Sequence, residues 1–342
     1  GRRCPPGILR QMTAGVGPTE VRRALVRHPT RRGRRWLSFA DPVEQISAHE
    51  LDEVAAALDR AEAAARAGLW VVGLISYVAA PASAAALVAH RDPSVPRVAF
   101  AAFASARPSR GPAVAAFTVG RWTATRDENA YRADVATIRE HIASCDTYQV
   151  NYTMRLSARF EGDPEGLFAG LCRAQRADHL AFLDLGDTAV CSASPELFLR
   201  RTGDLVETRP MKGTRPRHVD RAADRALAEE LLRSEKDRAE NTMIVDMARN
   251  DLGRVAEVGT VRTTALHTVE SYPTVHQLTS TVVADTEVSL GELFAATFPG
   301  ASITGAPKVA TSRIITELED RPRGVYTGAV GLIEPGGDAE FN

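Results

Sequence analysis

Of the chain's 42 lysines and arginines only three are lysine: Lys212, Lys236 and Lys308. Lys212 lies in ETRPMKGTRPR, residues 207–217, between Arg209 and Arg215. Arginine stays charged, whereas a desolvated lysine can lose its proton and act as a nucleophile or base. The neutral amine costs about 4.6 kcal/mol at pH 7 from an ordinary pKa of about 10.4. Burial and the flanking arginines are expected to reduce that cost. The alternatives are a point-charge contact to an anion or no chemical role.

Other stretches offer complementary chemistry. In SASPELF, Glu196 follows Pro195 and precedes Leu197 and Phe198. A carboxyl in apolar surroundings has a raised pKa and suits a general acid, although a lone Glu also fits a surface position. In SEKDRAENTMIVDMARND, Asp237 and Glu240 stand at i, i+3 on one helical face. They could share a hard cation such as Mg2+, or form a solvated flank. GASITGAPK offers the hydroxyls of Ser302 and Thr304, Gly305 and a helix start near Ala306. That arrangement could hold an anionic ligand or make only a capped turn. His276 in YPTVHQL could donate to a substrate oxygen or sit in the core.

The elements that must position these residues show in the apolar rhythm. Residues 49–67 have helical spacing and stop at Gly68. LWVVGLISYVA and RVAFAAFASA read as buried strands, and residues 127–144 as a helix capped by Asp127. YQVNYTMRLSARF reads as a strand, LFLRRTGDLVETRP as a hairpin, and 220–249 as the longest helical stretch. Strands come in runs with helices between them. This predicts an α+β fold with two facing antiparallel or mixed sheets, a sandwich-like core covered by helices. Residues 1–120 are expected to add strands and helices to the same fold as a catalytic region at 121–342.

A net charge of −1 argues against nucleic acid or a membrane surface as the main partner. The arginine-rich VRRALVRHPTRRGRR reads as a solvated edge or loop. Cys4, Cys145, Cys172 and Cys191 form no CxxC pair. That pattern suggests reduced, mostly packed thiols in a cytoplasmic protein.

Taken in order, YQVNYTMRL, SPELF, RPMKGTRPR, KDRAENTMIVDMARNDLGRV, SYPTVHQLTSTV, FPGASITGAPK and YTGAVGLIEPGGDAEFN closely resemble the chorismate-binding enzymes. The resemblance covers roughly 125–342 and, more weakly, GLISYVAAPA. It is closest to the aminodeoxychorismate synthase component I branch, which has Lys in its PIKGT motif, here PMKGT with Lys212. Anthranilate and isochorismate enzymes generally have Ala there. Isochorismate and salicylate synthases carry a water-activating Lys at the position of Gln149. Anthranilate synthases tend to have His where Asn241 stands, and no counterpart of their tryptophan-binding LLES motif is present.

The resemblance implies amination of chorismate at C4, giving 4-amino-4-deoxychorismate, a precursor of p-aminobenzoate and so of folate. Lys212 would attack C2, Glu196 would serve as general acid–base, and ammonia would come from a glutamine amidotransferase partner. Mg2+ would be held by Glu240 with Asp237 behind it. His276, Ser302, Thr304 and Gly305 would bind substrate. The alternatives are anthranilate synthase component I or a catalytically incompetent homologue that binds a partner. The family's motifs continue past GGDAEFN, which implies a chain truncated at its C-terminus with half a metal site and no competent activity.

Overall fold

In the computed structural model, which describes residues 20–30 and 33–342, the arginine-rich opening is a hairpin rather than a solvated loop. Cys4 lies outside the described residues. The hairpin strands are β1 (Arg23–Thr30) and β2 (Gly33–Ala40). Carboxylates and a carbonyl take up its arginines: Arg23 pairs with Glu165 at 2.7 Å, Arg34 with Glu340 at 2.6 Å, and Arg27 donates to Ala177 O.

β3 (Glu44–Ala48) leads into α1 (Glu53–Arg66), β4 (Trp70–Ile75), the short α2 (Ala80–Ser83) and β5 (Val98–Phe103). The short strands β6 (Arg107–Ser109), β7 (Phe117–Val119) and β8 (Thr123–Ala124) precede α3 (Glu128–Ala143). The Asp127 side chain caps α3 by accepting from Ala130 N, as its position predicts. The segment expected as one strand breaks into β9 (Gln149–Val150), β10 (Leu156–Ser157) and β11 (Phe160–Gly162). It breaks because each piece pairs elsewhere: β10 with β8, β11 with β7, and β9 with residues 305–306.

Next come α4 (Pro164–Gln175), β12 (His179–Asp184), β13 (Ala189–Ser194), β14 (Leu197–Thr202), β15 (Leu205–Arg209) and β16 (Met211–Pro216). The stretch at 220–249 is two helices, α5 (Arg221–Arg233) and α6 (Glu235–Gly253). Ser234 separates them by turning extended and accepting from Asp237 N, an N-cap that starts a new helix. β17 (Arg262–Ser271) and β18 (Val275–Asp285) form a hairpin before α7 (Leu290–Thr297). The four-residue α8 (Ala301–Thr304), β19 (Gly305–Ala306), α9 (Lys308–Leu318), β20 (Ala329–Ile333) and β21 (Ala339–Phe341) complete the order.

Two antiparallel sheets face one another. The smaller runs β13-β12-β1-β2-β6; the larger runs β16-β18-β15-β14-β21-β20-β4-β5-β3, with β17 also on β18. Both sheets mix strands from before and after residue 120. Alternation along β4 explains why it is apolar throughout: Val72 and Leu74 meet Phe39 and Leu183 of the small sheet, while Val71 and Ile75 turn toward the helices. The helix-side core packs α1, α6 and α7 on the large sheet around Phe100, Phe294 and Phe341. Burying such a side chain contributes about 1.5–3 kcal/mol. On the outer face of the small sheet α4 covers Leu25, Leu180 and Phe182 through Phe168.

Candidate active site

Glu196 and Lys212 converge through the β14–β15 hairpin. β15 returns antiparallel with Arg209 opposite Leu197, so residue 211 comes back beside residue 196. Met211 N donates to Glu196 Oε1 at 3.3 Å. Gly213 follows with φ +94°, where a Cβ would come within 3.0 Å of Asp237 Cβ, so only glycine lets β16 pass this close to α6.

Ser302 is the bridge. Its hydroxyl donates to Glu196 Oε1 at 2.5 Å, while its carbonyl accepts from Lys212 Nζ at 2.8 Å. Asn151 Oδ1 also accepts from Nζ, at 3.4 Å. Among the described residues no carboxylate lies within 4 Å of that amine, so Lys212 has no direct ion pair. Burial pushes the Lys212 amine below its usual value, against the charges of Glu196 and Glu240. Burial likewise raises the Glu196 carboxyl, against the Ser302 hydrogen bond and the Lys212 charge. Both shifts run in the direction of a neutral amine and a protonated carboxyl, and burial is the main cause of each. This state holds the same number of protons as an ammonium–carboxylate pair, so desolvation can favour it without exchange with solvent.

The arginines flanking Lys212 do not act on it as expected. Arg209 is paired with Glu270, and Arg215 with Glu230 and Asp237, each at 2.9 Å. Neutralised in this way, they leave burial as the cause of the lysine's shift.

Four other expected site residues are placed differently. Asp237 Oδ2 accepts from Arg215 Nη2, so it does not stand behind a metal. His276 is buried at the end of β18 with both ring nitrogens engaged, Nε2 with Asp224 at 3.0 Å and Nδ1 with Ser271 Oγ at 2.8 Å. Thr304 is fully buried and donates to Gly300 O, a helix back-bond. Gly305 has φ +140°, and a Cβ there would lie 2.1 Å from Gln149 O; it serves the β9–β19 contact. At the helix start after it, the Lys308 amine packs on Asp251 at 2.6 Å.

The described residues do not fit Mg2+ on their own. No three His, Cys, Asp or Glu side chains converge among them, Asp237 is committed to Arg215, and Glu240 is 36% exposed near Lys236. The described cysteines are free thiols, and two of the three, Cys172 and Cys191, pack against the core under α4 as expected, while Cys145 is exposed.

A cavity of about 660 Å³ opens beside Glu196 and Ser302, walled by β13, Phe198, Leu252, Phe298 and Val330. Lys212 is not in its wall; the amine is drawn behind Ser302 by the two acceptors there. No arginine, lysine or histidine lines the cavity among the described residues, so it offers nothing to neutralise a dianion.

The two facing antiparallel sheets with their helical cover define an α+β class known from solved structures. Anthranilate synthase component I from Streptococcus pneumoniae superposes with a TM-score of 0.74 at 23% identity, covering 98% of this chain and 84% of that one. The menaquinone-specific isochorismate synthase from Escherichia coli gives 0.72 at 16% identity, with 96% and 79% covered. The chain belongs to the chorismate-binding enzyme family, whose model matches residues 23–342. Aminodeoxychorismate synthase component 1 from Klebsiella aerogenes is 46% identical over 226 residues, 65% of this chain and 50% of that protein. Anthranilate synthase component 1 from Streptomyces coelicolor is 43% identical over 224 residues, 64% and 44%. The chain thus spans about half the length of the curated relatives it matches. No helix among the described residues is long and apolar enough to cross a membrane.

Proposed function

We propose that this chain carries the Lys212–Glu196 centre of an enzyme that aminates chorismate at C4. The observation that carries it is the junction at Ser302, where an amine without an ion pair and a carboxyl are both driven toward neutrality. Relatives of similar identity bear both aminodeoxychorismate and anthranilate synthase names, so Lys212, rather than overall identity, supports the first.

In this scheme the Lys212 nitrogen bonds to ring C2, both conjugated ring double bonds shift along the ring toward C4, and the C4–oxygen bond breaks. The Glu196 proton leaves with that oxygen as water. Ammonia then bonds to C4, the diene shifts back, and the C2–nitrogen bond to Lys212 breaks. Glu196 takes up the excess proton, so the sum is chorismate plus ammonia giving aminodeoxychorismate plus water. Glu196 stands in the wall of the apolar cavity, and the Lys212 amine lies behind Ser302. No step runs through Mg2+. A glutamine amidotransferase is the proposed ammonia source.

The test is product identification with chorismate, Mg2+ and ammonium. Aminodeoxychorismate is expected, and Lys212→Ala should remove it. Glu196→Gln should slow it by about 10²- to 10⁴-fold. Anthranilate as product, or amination by Lys212→Ala at the rate of the parent chain, would reject the scheme.

A further inference from the structure

The two acceptors of the Lys212 amine, Asn151 and Ser302, sit on separate backbone segments. The β9–β19 pairing and Asn151 N donating to Thr304 O at 2.8 Å already join those segments; a buried ion pair beyond them, outside the proposed chemistry, ties them a second time through side chains. Arg323 lies between α9 and β20 with its side chain only 3% exposed, and it stacks over the Tyr77 ring at 4.9 Å. Its Nε donates to Glu319 Oε2 at 2.9 Å and its Nη2 to Glu319 Oε1 at 2.6 Å. The same Nη2 donates to Asn151 O at 2.7 Å, while Nη1 donates to Ile303 O at 2.8 Å and to Thr327 Oγ1 at 3.4 Å. All five guanidinium donors are used, in a planar fork that no other side chain reproduces. Glu319 Oε1 also accepts from Thr153 N, so the pair grips residues 151–153 from both sides.

The two carbonyls that Arg323 holds are revealing. One belongs to Asn151 itself and the other to Ile303, the neighbour of Ser302. Asn151 Nδ2 donates to the same Ile303 carbonyl, closing a ring of contacts around the lysine's acceptors. A buried ion pair adds little stability over an apolar pair of the same size, whereas its directional bonds fix geometry well.

We propose that Arg323, locked to Glu319, is the positioning residue that sets Asn151 and Ser302 around the amine of Lys212. This rests on the proposal that Lys212 is the nucleophile. Lysine cannot span Glu319, Asn151 and Ile303 at once, so Arg323→Lys keeps the charge and loses the grip. Glu319→Gln weakens the same grip from the other end.

The chain's lysines supply their own controls. Lys236 is exposed, and Lys308 is buried in an ion pair with Asp251, so its labelling serves as the marker of unfolding. The folded protein and both variants are treated briefly with trinitrobenzenesulfonate, and labelling at each lysine is read by peptide mass spectrometry. Arg323→Lys should raise labelling of Lys212 relative to Lys236 by about tenfold, the scale of effect that a small misplacement produces at a tuned site. Glu319→Gln should shift it in the same direction by less, with Lys308 protected in both. An unchanged Lys212 ratio in both variants would overturn the proposal. So would Lys212 and Lys308 becoming reactive together in both, since that marks a merely structural role. If Arg323→Lys does not fold, Glu319→Gln alone decides between these outcomes. No chorismate is present, so this result stands apart from the amination test, which Lys212→Ala decides.

Discussion

Lys212 and Lys308 are both sunk into the protein, and burial lowers the proton affinity of each. Each has an acidic partner whose carboxyl burial raises, Glu196 for the first and Asp251 for the second. The difference is contact. Lys308 touches Asp251 directly at 2.6 Å and donates to Thr297 O at 2.9 Å, tying the start of α9 to α6. Lys212 reaches Glu196 only through Ser302. Desolvation alone therefore does not mark a reactive lysine. A direct carboxylate makes Lys308 a structural clamp; at Lys212 a serine bridge stands in its place, which is what the proposed role of that amine rests on.

The comparison breaks most visibly in stability. Lys308→Met strands Asp251 and should cost about 3–5 kcal/mol in urea unfolding. Lys212→Met keeps the apolar stem, strands no directly paired carboxylate and should stay within about 1 kcal/mol of the parent. Equal losses would show that the two lysines play the same role.

A third buried carboxylate, Glu340, sharpens the contrast through pH. It meets Arg34, Arg200 and His179 at 2.6, 2.8 and 2.9 Å and joins the two sheets. Burial alone would raise its pKa, but the hydrogen bond and charge of His179, then those of Arg34, hold it well below the usual carboxylate range. Burial also lowers His179, so at neutral pH the arginines carry the charge. A depressed folded value means that the stabilisation is present above the unfolded value of 4.5 and lost as pH falls through the folded one. Glu340→Gln should cost about 2 kcal/mol at neutral pH, where it leaves part of the cation cluster unpaired. The gap between Glu340→Gln and the parent in urea midpoint should hold above about pH 5 and shrink from there down toward the depressed folded value. A gap constant over that interval would contradict the assignment.

The smallest effect belongs to Asp237. Asp237 is buried, but asparagine keeps an acceptor for Arg215, which also holds Glu230, so Asp237→Asn should cost about 1 kcal/mol. A much larger loss would place it with Asp251 as a clamp.

Local signals in the sequence were enough for several elements. The helix at 53–66, the Asp127 cap, the hairpin at 197–209 and the terminal hairpin at 329–341 follow from apolar period, capping and turn residues. So does the pairing of sheets, because strands 70–75 and 98–103 are apolar on both faces. The break at Ser234 was present as S-x-x-D but lay inside an unbroken helical rhythm. β13 was missed because its AVCSAS sequence has weak alternation and few large apolar residues.

By itself the sequence determined which chemistry was available: a lone lysine among arginines, a glutamate on a strand's approach, and the order of motifs that marks the family. It could not determine pairing. Whether Arg215 faces Lys212 or Asp237, and whether His276 faces a substrate or Asp224, depends on which segments far apart in the chain become neighbours. Arg323 gave no signal of its proposed role for the same reason: Glu319 is an i,i+4 neighbour in the chain, but the carbonyls of Asn151 and Ile303 are groups that every residue carries. Side-chain type fixes what a group can do. Only the packed sheets and helices decide what it meets, because hydrogen bonds and desolvation act over a few ångströms of space and not along the chain.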